Sequence, residues 1–410
     1  MIVGWKDCQL GDVITLQRGF DLPIQDRKLG NVPIVSSSGT TGTHSEAKVA
    51  GPGVVTGRYG TIGQVFYIKQ DFWPLNTTLF VKDFKGNDPL FISYLLHTID
   101  FESHNDKSSV PGVNRNHLHM VKVSVPRASE QRIIANILGS LDEKIEVNRQ
   151  MNETLEAIAR ALFKSWFVDF DPVRAKMEGR EPDGMDTETA ALFPGSIENS
   201  TLGKIPKGWR VGKISELTSV SRDGLNPNKY PNEIFEHYSL PAFDEGALPR
   251  TEAGIQIMSN KYIVTPDSVL LSKMNPRIPR VWLPMVNDKY RSVCSTEFIV
   301  NKPKEGCTRE YLYSLFCSDH FLDIFASLVT GTTGSHQRVT PDSMLSMDVV
   351  VPSKELIVRF TDIVRPIYEK QSQNLVESGT LASIRNLLLP KLMSGEIRVK
   401  EAEKYVESHL

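Results

Sequence analysis

Cysteine is scarce in this chain: Cys8, Cys294, Cys307 and Cys317 are the four among 410 residues. None falls at the short paired spacings that zinc sites and redox motifs need, so reduced thiols in a cytoplasmic protein are expected. Histidines offer no substitute, because the close pair, His117 and His119, has an i, i+2 spacing that does not suit a metal-binding helix. No metal and no cofactor is expected. Long apolar runs are missing as well, and the opening MIVGWKDCQLGDV lacks a basic stretch followed by an apolar one. Neither a membrane span nor a secretory leader is predicted. The near-repeats GTTGTH (39–44) and GTTGSH (331–336) lack the Gly-Lys-Ser/Thr ending of a phosphate-binding loop and read as flexible polar loops. Charge of one sign is lacking too: 47 Lys and Arg meet 49 Asp and Glu, a net of −2. Any electrostatic function must therefore lie in local clusters.

What is present is a plan used twice. GWKDCQLGDVITLQRG aligns with GWRVGKISELTSVSRDG at a shift of 204, matching Trp5 with Trp209 and Arg18 with Arg222. NTTLFV resembles STEFIV, with Phe80 set against Phe298 at a shift of 218, and VKVSVP matches MDVVVP at 226, Pro126 against Pro352. The shift grows along the chain, as insertions in the second copy would make it. Alternating and β-branched runs between Gly, Pro and Asn predict a mainly β domain in each copy, over 1–128 and 203–352.

After each proline the hydrophobic period changes from two to three and a half. Alternating steps of four and three from Ile134 give Leu138, Leu141, Ile145, Asn148, Asn152, Leu155, Ala159, Leu162 and Trp166. The same shift of 226 gives Phe360, Val364, Ile367, Gln371, Asn374, Ser378, Leu381, Arg385, Leu388 and Leu392. These are coiled-coil seams with polar interruptions at matching places; a buried amide weakens a seam but penalises slipped registers. Spacer helices are predicted over 129–170 and 353–395, packed antiparallel, with a linker over 171–202 and a tail over 396–410. The expected class is α+β: two mainly β domains separated by two long helices. About 40 residues at about 1.5 Å each make a rod of about 60 Å. Such a rod suits the reading of two sites on one duplex, which lie about one helical turn, roughly 34 Å, or a comparable distance apart.

The chain resembles the DNA-specificity subunit of type I restriction-modification systems. The residues carrying this are the GW openings, GRYGTIG (57–63), LLSKMNPRIPRVWLP (270–284), VNRNHL (113–118), SEQRIIANILGSLDEKIEVN (129–148) and IRNLLLPKLMSGEI (384–397). The resemblance implies two target-recognition domains, each reading half of a split, asymmetric target on double-stranded DNA. It further implies an antiparallel helical spacer that holds methyltransferase subunits, within an assembly that adds motor-nuclease subunits.

Basic residues in loops are the candidates for meeting DNA, where phosphate contacts supply affinity and base edges supply discrimination. In SKMNPRIPRVWLPMVNDKYRS, Lys273, Arg277, Arg280, Lys289 and Arg291 face only Asp288 within the stretch, and Asn275 lies among them. The comparable place in the first copy holds Arg58 and Tyr59 beside glycines that allow close backbone approach. Arg18, Arg115, Arg222 and Arg338 are further candidates. A methyltransferase activity of the chain itself would require an Asn/Asp-Pro-Pro-aromatic loop and a Phe-x-Gly-x-Gly turn, and neither occurs. A stand-alone twin-domain regulator or scaffold is the remaining alternative.

Overall fold

Each copy begins by pairing its opening strand with its closing one. Trp5–Gln9 runs antiparallel to Lys122–Pro126 with Lys6 opposite Val125, and Arg210–Lys213 runs antiparallel to Asp348–Val351 with Arg210 opposite Val351. Shifts of 204 and 226 carry the first pair onto the second residue by residue. The computed structural model describes residues 4–106, 112–286, 289–329 and 337–409. The fold is α+β, and the chain divides into two units, Met1–Glu146 with Thr380–Leu410, and Val147–Gly379.

A four-stranded sheet forms the centre of each copy. Its order is Thr15–Arg18, Thr78–Asp83, Gly53–Gly57, Val65–Ile68 in the first, and Thr218–Ser221, Phe298–Pro303, Val269–Ser272, Val281–Trp282 in the second. Gln17 faces Phe80 while Ser221 faces Val300. The structural equivalent of Phe80 is therefore Val300, at a shift of 220, and not Phe298 as the sequence match suggested. A strand repeats every two residues, so a slip of two keeps the same faces inward and sequence pattern alone does not resist it. Helices Pro89–His97 and Arg309–Cys317, also related by 220, are capped by Asp88 and Thr308, whose side chains accept from Phe91 N and Tyr311 N.

The two long helices span Ala128–Phe167 and Lys354–Met393, 40 residues each. They run antiparallel: Asp142 meets Arg385, Asn148 meets Ser378 and Asn152 meets Gln371, so position falls on one as it rises on the other. Every predicted seam position is buried or half-buried. In the first unit Leu138, Leu141, Leu381, Leu388 and Leu392 share a core with Leu10, Leu95 and Leu118. Each fully buried leucine contributes about 1.5–3 kcal/mol, so both helix ends are integral to that domain. In the second unit Phe163, Phe167, Tyr311 and Phe360 form an aromatic cluster with ring centroids 5.1–6.3 Å apart.

Three segments differ from expectation. The predicted linker 171–202 is structured: it holds helices Asp171–Met177 and Thr187–Ala191, and its strand Ile197–Ser200 forms a hairpin with Gly203–Pro206. Val173 and Phe193 in it are core residues. The tail carries the helix Val399–His409, anchored by buried Ala402. GTTGTH is the strand Gly39–His44, paired with Val32–Ser36 at a sheet edge, rather than a loop. Its His44 is buried, and the ring Nδ1 accepts from Lys28 N at 2.9 Å. The related GTTGSH lies outside the described residues.

Candidate nucleic-acid interface

The strand Gly53–Gly57 leads into a corner made of Arg58, Tyr59 and Gly60. Arg58 N and Tyr59 N donate to Thr77 O at 2.9 and 3.2 Å, Val113 N donates to Arg58 O at 3.0 Å, and Gly60 turns the chain with φ +81°. Tyr59 is bridged to Gly112. The strand Val269–Ser272 ends in the same way. Lys273 N donates to Glu297 O and Val339 N to Lys273 O, both at 3.0 Å, Met274 is bridged to Arg338, and Asn275 takes φ +48°. Asparagine tolerates that left-handed conformation better than most residues, which is why it can stand where the first copy has glycine. Arg58 and Lys273 are thus equivalent, as are Thr77 and Glu297 (shift 220) and Gly112 and Arg338 (shift 226).

The structure brings Lys273, Asn275 and Arg338 together, and separately Arg58 and Tyr59. In the second corner Arg338 Nε and Nη2 bind both carboxylate oxygens of Glu297 at 2.9 and 3.1 Å. In the first, the Arg58 guanidinium lies 4.5 Å over the Tyr59 ring, and Nη2 is 3.3 Å from the phenol oxygen. Glu297, Thr77 and Gly112 were not among the sequence candidates; the shifts of 220 and 226, applied to the corner, are the signal that finds them.

The other basic candidates sit differently. Arg280 binds Asp244 through Nε and Nη2 at 2.7 and 2.8 Å, with only 11% of its side chain exposed. Arg291 binds Glu233 at 2.5 and 2.6 Å and lies over the Tyr230 ring at 4.5 Å. The hydrogen bonds from Arg280 and Arg291 hold the Asp244 and Glu233 carboxyls below their usual range. The expected concentration of positive charge around 273–291 is therefore offset by acids 36 and 58 residues away in sequence. Arg18 pairs with Asp21 at 3.3 Å and Arg222 with Asp342 at 4.0 Å, both highly exposed and energetically slight. Among the described residues, no carboxylate lies within ion-pair distance of Arg58, Arg115, Lys273 or Arg277. Lys289 lies 5.0 Å over its neighbour Tyr290. Arg115 opens the short helix Arg115–His119, capped by Asn114. There His119 Nε2 accepts from Leu16 N at 3.0 Å, and burial, then the charges of Arg115 and Lys85, push its pKa down.

The seam carries its own polar site. Asn148 Nδ2 donates to Glu377 Oε2 at 2.8 Å, to Ser378 Oγ at 3.3 Å and to Asn374 O at 3.4 Å. Asn374 Nδ2 donates to Asn152 Oδ1 at 2.8 Å, and Asn152 and Gln371 exchange side chain to backbone bonds of 3.1 and 3.0 Å. The contact Asn148–Ser378 becomes Asn374–Asn152 under the shift of 226, so the amide layer repeats the duplication locally. Nearer the domains, the Tyr94 hydroxyl donates to Asp142 Oδ2 while Arg385 binds Oδ1 at 2.6 Å. The equivalent place in the second copy joins Ser314 Oγ and the Tyr368 hydroxyl at 2.7 Å. The tyrosine has changed sides.

Among the described residues no helix is long and apolar enough to cross a membrane, and no group of three His, Cys, Asp or Glu is placed to hold a metal ion. Two copies of one β-rich domain, each ending in a forty-residue helix and each building the same basic corner, define an internally duplicated chain. Residues 2–157 match the family model described as type I restriction modification DNA specificity domain. The chain is 28% identical over 336 residues to the type I restriction enzyme HindI specificity subunit of Haemophilus influenzae, covering 70% of this chain and 71% of that one. It is 28% identical over 309 residues to the MjaIX specificity subunit of Methanocaldococcus jannaschii, covering 72% of this chain and 65% of the other. The fold matches the crystal structure of a type I restriction-modification S subunit from M. genitalium with TM-score 0.63, 15% identity and 96% coverage of both chains. The matched family model and these relatives are alike DNA specificity domains and subunits of type I restriction-modification systems, and it is these that the chain is similar to.

Proposed function

We propose that each β-rich domain reads one half of a bipartite double-stranded target, while the paired helices set the gap between halves and dock the methyltransferase subunits. The chain supplies recognition and assembly and leaves chemistry to those subunits and to the motor-nuclease subunits of the same cytoplasmic complex. The observation that carries this reading is the corner built twice, with the same backbone bonds, at equivalent places of the two copies. A duplicated reader suits a target with two parts; one continuous site would need only one corner. The similarity to specificity subunits supports this over a stand-alone regulator.

The test is to map methylated bases in DNA from cells that carry this chain with its methyltransferase partner. A two-part asymmetric motif with a fixed gap is expected. A single continuous motif, or methylation without sequence preference, refutes the reading.

A further inference from the structure

The second copy builds its corner on the same backbone bonds as the first, so each serves as an internal control for the other. The bonds from position 58 or 273 to 77 or 297, and from 113 or 339 back again, form in both. What differs is how each corner holds an arginine. In the first, Gly112 leaves room for the Tyr59 ring, since a Cβ there would lie 2.5 Å from a ring carbon, and that ring carries the Arg58 guanidinium. In the second, Met274 replaces the tyrosine, Arg338 stands in place of the glycine, and Glu297 in place of Thr77 clamps it through two bonds.

Neither device is needed to form the corner, because the other copy forms it without that device. Nor does the Glu297–Arg338 pair contribute much stability: its side chains are 26% and 39% exposed, and ion pairs that face solvent contribute little. What both devices do achieve is a fixed guanidinium plane. That plane is what guanine requires, because its O6 and N7 accept two parallel bonds from a planar fork. Fixing the plane beforehand also removes rotamer entropy that binding would otherwise have to overcome.

Resting on the half-site reading above, we infer that Arg58 and Arg338 are specificity-determining residues, each reading a guanine in its own half of the target, with Tyr59 and Glu297 as their positioning residues. Lys273, at the position of Arg58 but without such a clamp, contacts phosphate.

The experiment uses the complex with its methyltransferase subunits on a DNA library randomised over both halves, with methylated products sequenced. Arg338→Lys keeps the charge and loses the fork. It should lower discrimination at one G·C pair of one half-site by about 5- to 150-fold, leaving the gap and the other half unchanged. Arg58→Lys should do the same in the opposite half only. Glu297→Gln should relax the same base pair as Arg338→Lys, to a smaller degree; a purely structural role would leave base preference unmoved. The inference is overturned if Arg338→Lys and Arg58→Lys both relax the same half, if Glu297→Gln shifts a different base pair, or if methylation falls equally for all sequences with preferences intact. Should Arg338→Lys fail to assemble, Arg338→Gln is read by the same criteria. A wild-type complex that yields no two-part motif refutes the half-site reading itself, which separates the two failures.

Discussion

Replacing both Asn148 and Asn374 by leucine should stabilise the chain and degrade its precision. The Oδ1 atoms of both residues are buried and receive no donor from the described residues. A buried acceptor left in that state costs about 1–3 kcal/mol, and a leucine buried in its place contributes about 1.5–3 kcal/mol. Against this stand the donor contacts of Asn148 with Glu377 and Ser378 and of Asn374 with Asn152, each about 0.5–1.5 kcal/mol net, or about 1.5–3 where the partner is charged. With the bond of Asn148 to Asn374 O lost and Asn152 stranded as well, the balance favours the double variant by roughly 1–2 kcal/mol. Asn374→Leu alone should be close to neutral, because it strands Asn152 while relieving one acceptor. Urea unfolding followed by circular dichroism measures the change as a rise in midpoint. The cost should appear in the methylated motif, where a seam without amides tolerates shifted registers and the gap broadens. A double variant that unfolds at lower urea than wild type would show the amide layer to be a source of stability, and the reasoning would be wrong.

Four further outcomes are expected. Lengthening both long helices by one turn adds about 6 Å to each, so the gap between half-sites should grow by about two base pairs with both half-site sequences unchanged; motif mapping that shows the old gap removes the ruler. Lys273→Ala should weaken binding of all sequences alike and reduce the slope of log affinity against log salt by about 0.9, measured by DNA titration at several salt concentrations. His119 is held neutral by burial and by its bond from Leu16 N, so its folded pKa lies below the unfolded value of about 6.5. The unfolded chain takes up the proton first as pH falls, so stability of the first domain should drop from about pH 6.5 down through the depressed folded pKa and then level off. His119→Gln should flatten that slope in urea midpoints between pH 7.5 and 5.5. Tyr94→Phe removes the hydroxyl bonded to Asp142 and should cost about 1.5–3 kcal/mol by urea unfolding. Tyr94→Ser with Asp142→Tyr, which copies the second junction into the first, should recover more than either change alone.

The long helices were legible because a period of three and a half sustained over forty residues has few other interpretations, and the duplication was legible because the matches occur in one order. The corner was half legible. Arg58 and Lys273 stood out as cations in turn-rich stretches, but Glu297 and Gly112 carry no signal until strand register fixes the shifts at 220 and 226. The apparent basicity of 273–291 misled because Asp244 and Glu233 lie 36 and 58 residues away, and no local reading of charge anticipates partners brought in by a sheet. GTTGTH escaped as a strand because four of its six residues face solvent at a sheet edge, which leaves no apolar alternation to detect. The predicted linker hid its order for a related reason: Val173 and Phe193 lie in stretches too short to show a period, and their burial depends on a core built elsewhere in the chain.

The tyrosine that changes sides limits how such chains can exchange parts. A genetic crossover at Pro126 or Pro352 would graft one head onto the other's stalk, setting Ser314 beside Asp142 or Tyr94 beside Tyr368. The first mismatch leaves a carboxylate short of a donor, and the second crowds two phenols into a space shaped for one. Recombination that trades whole heads should therefore succeed when its breakpoint falls past Asp142 or Tyr368, so that the first few turns of stalk travel with the head they were fitted to.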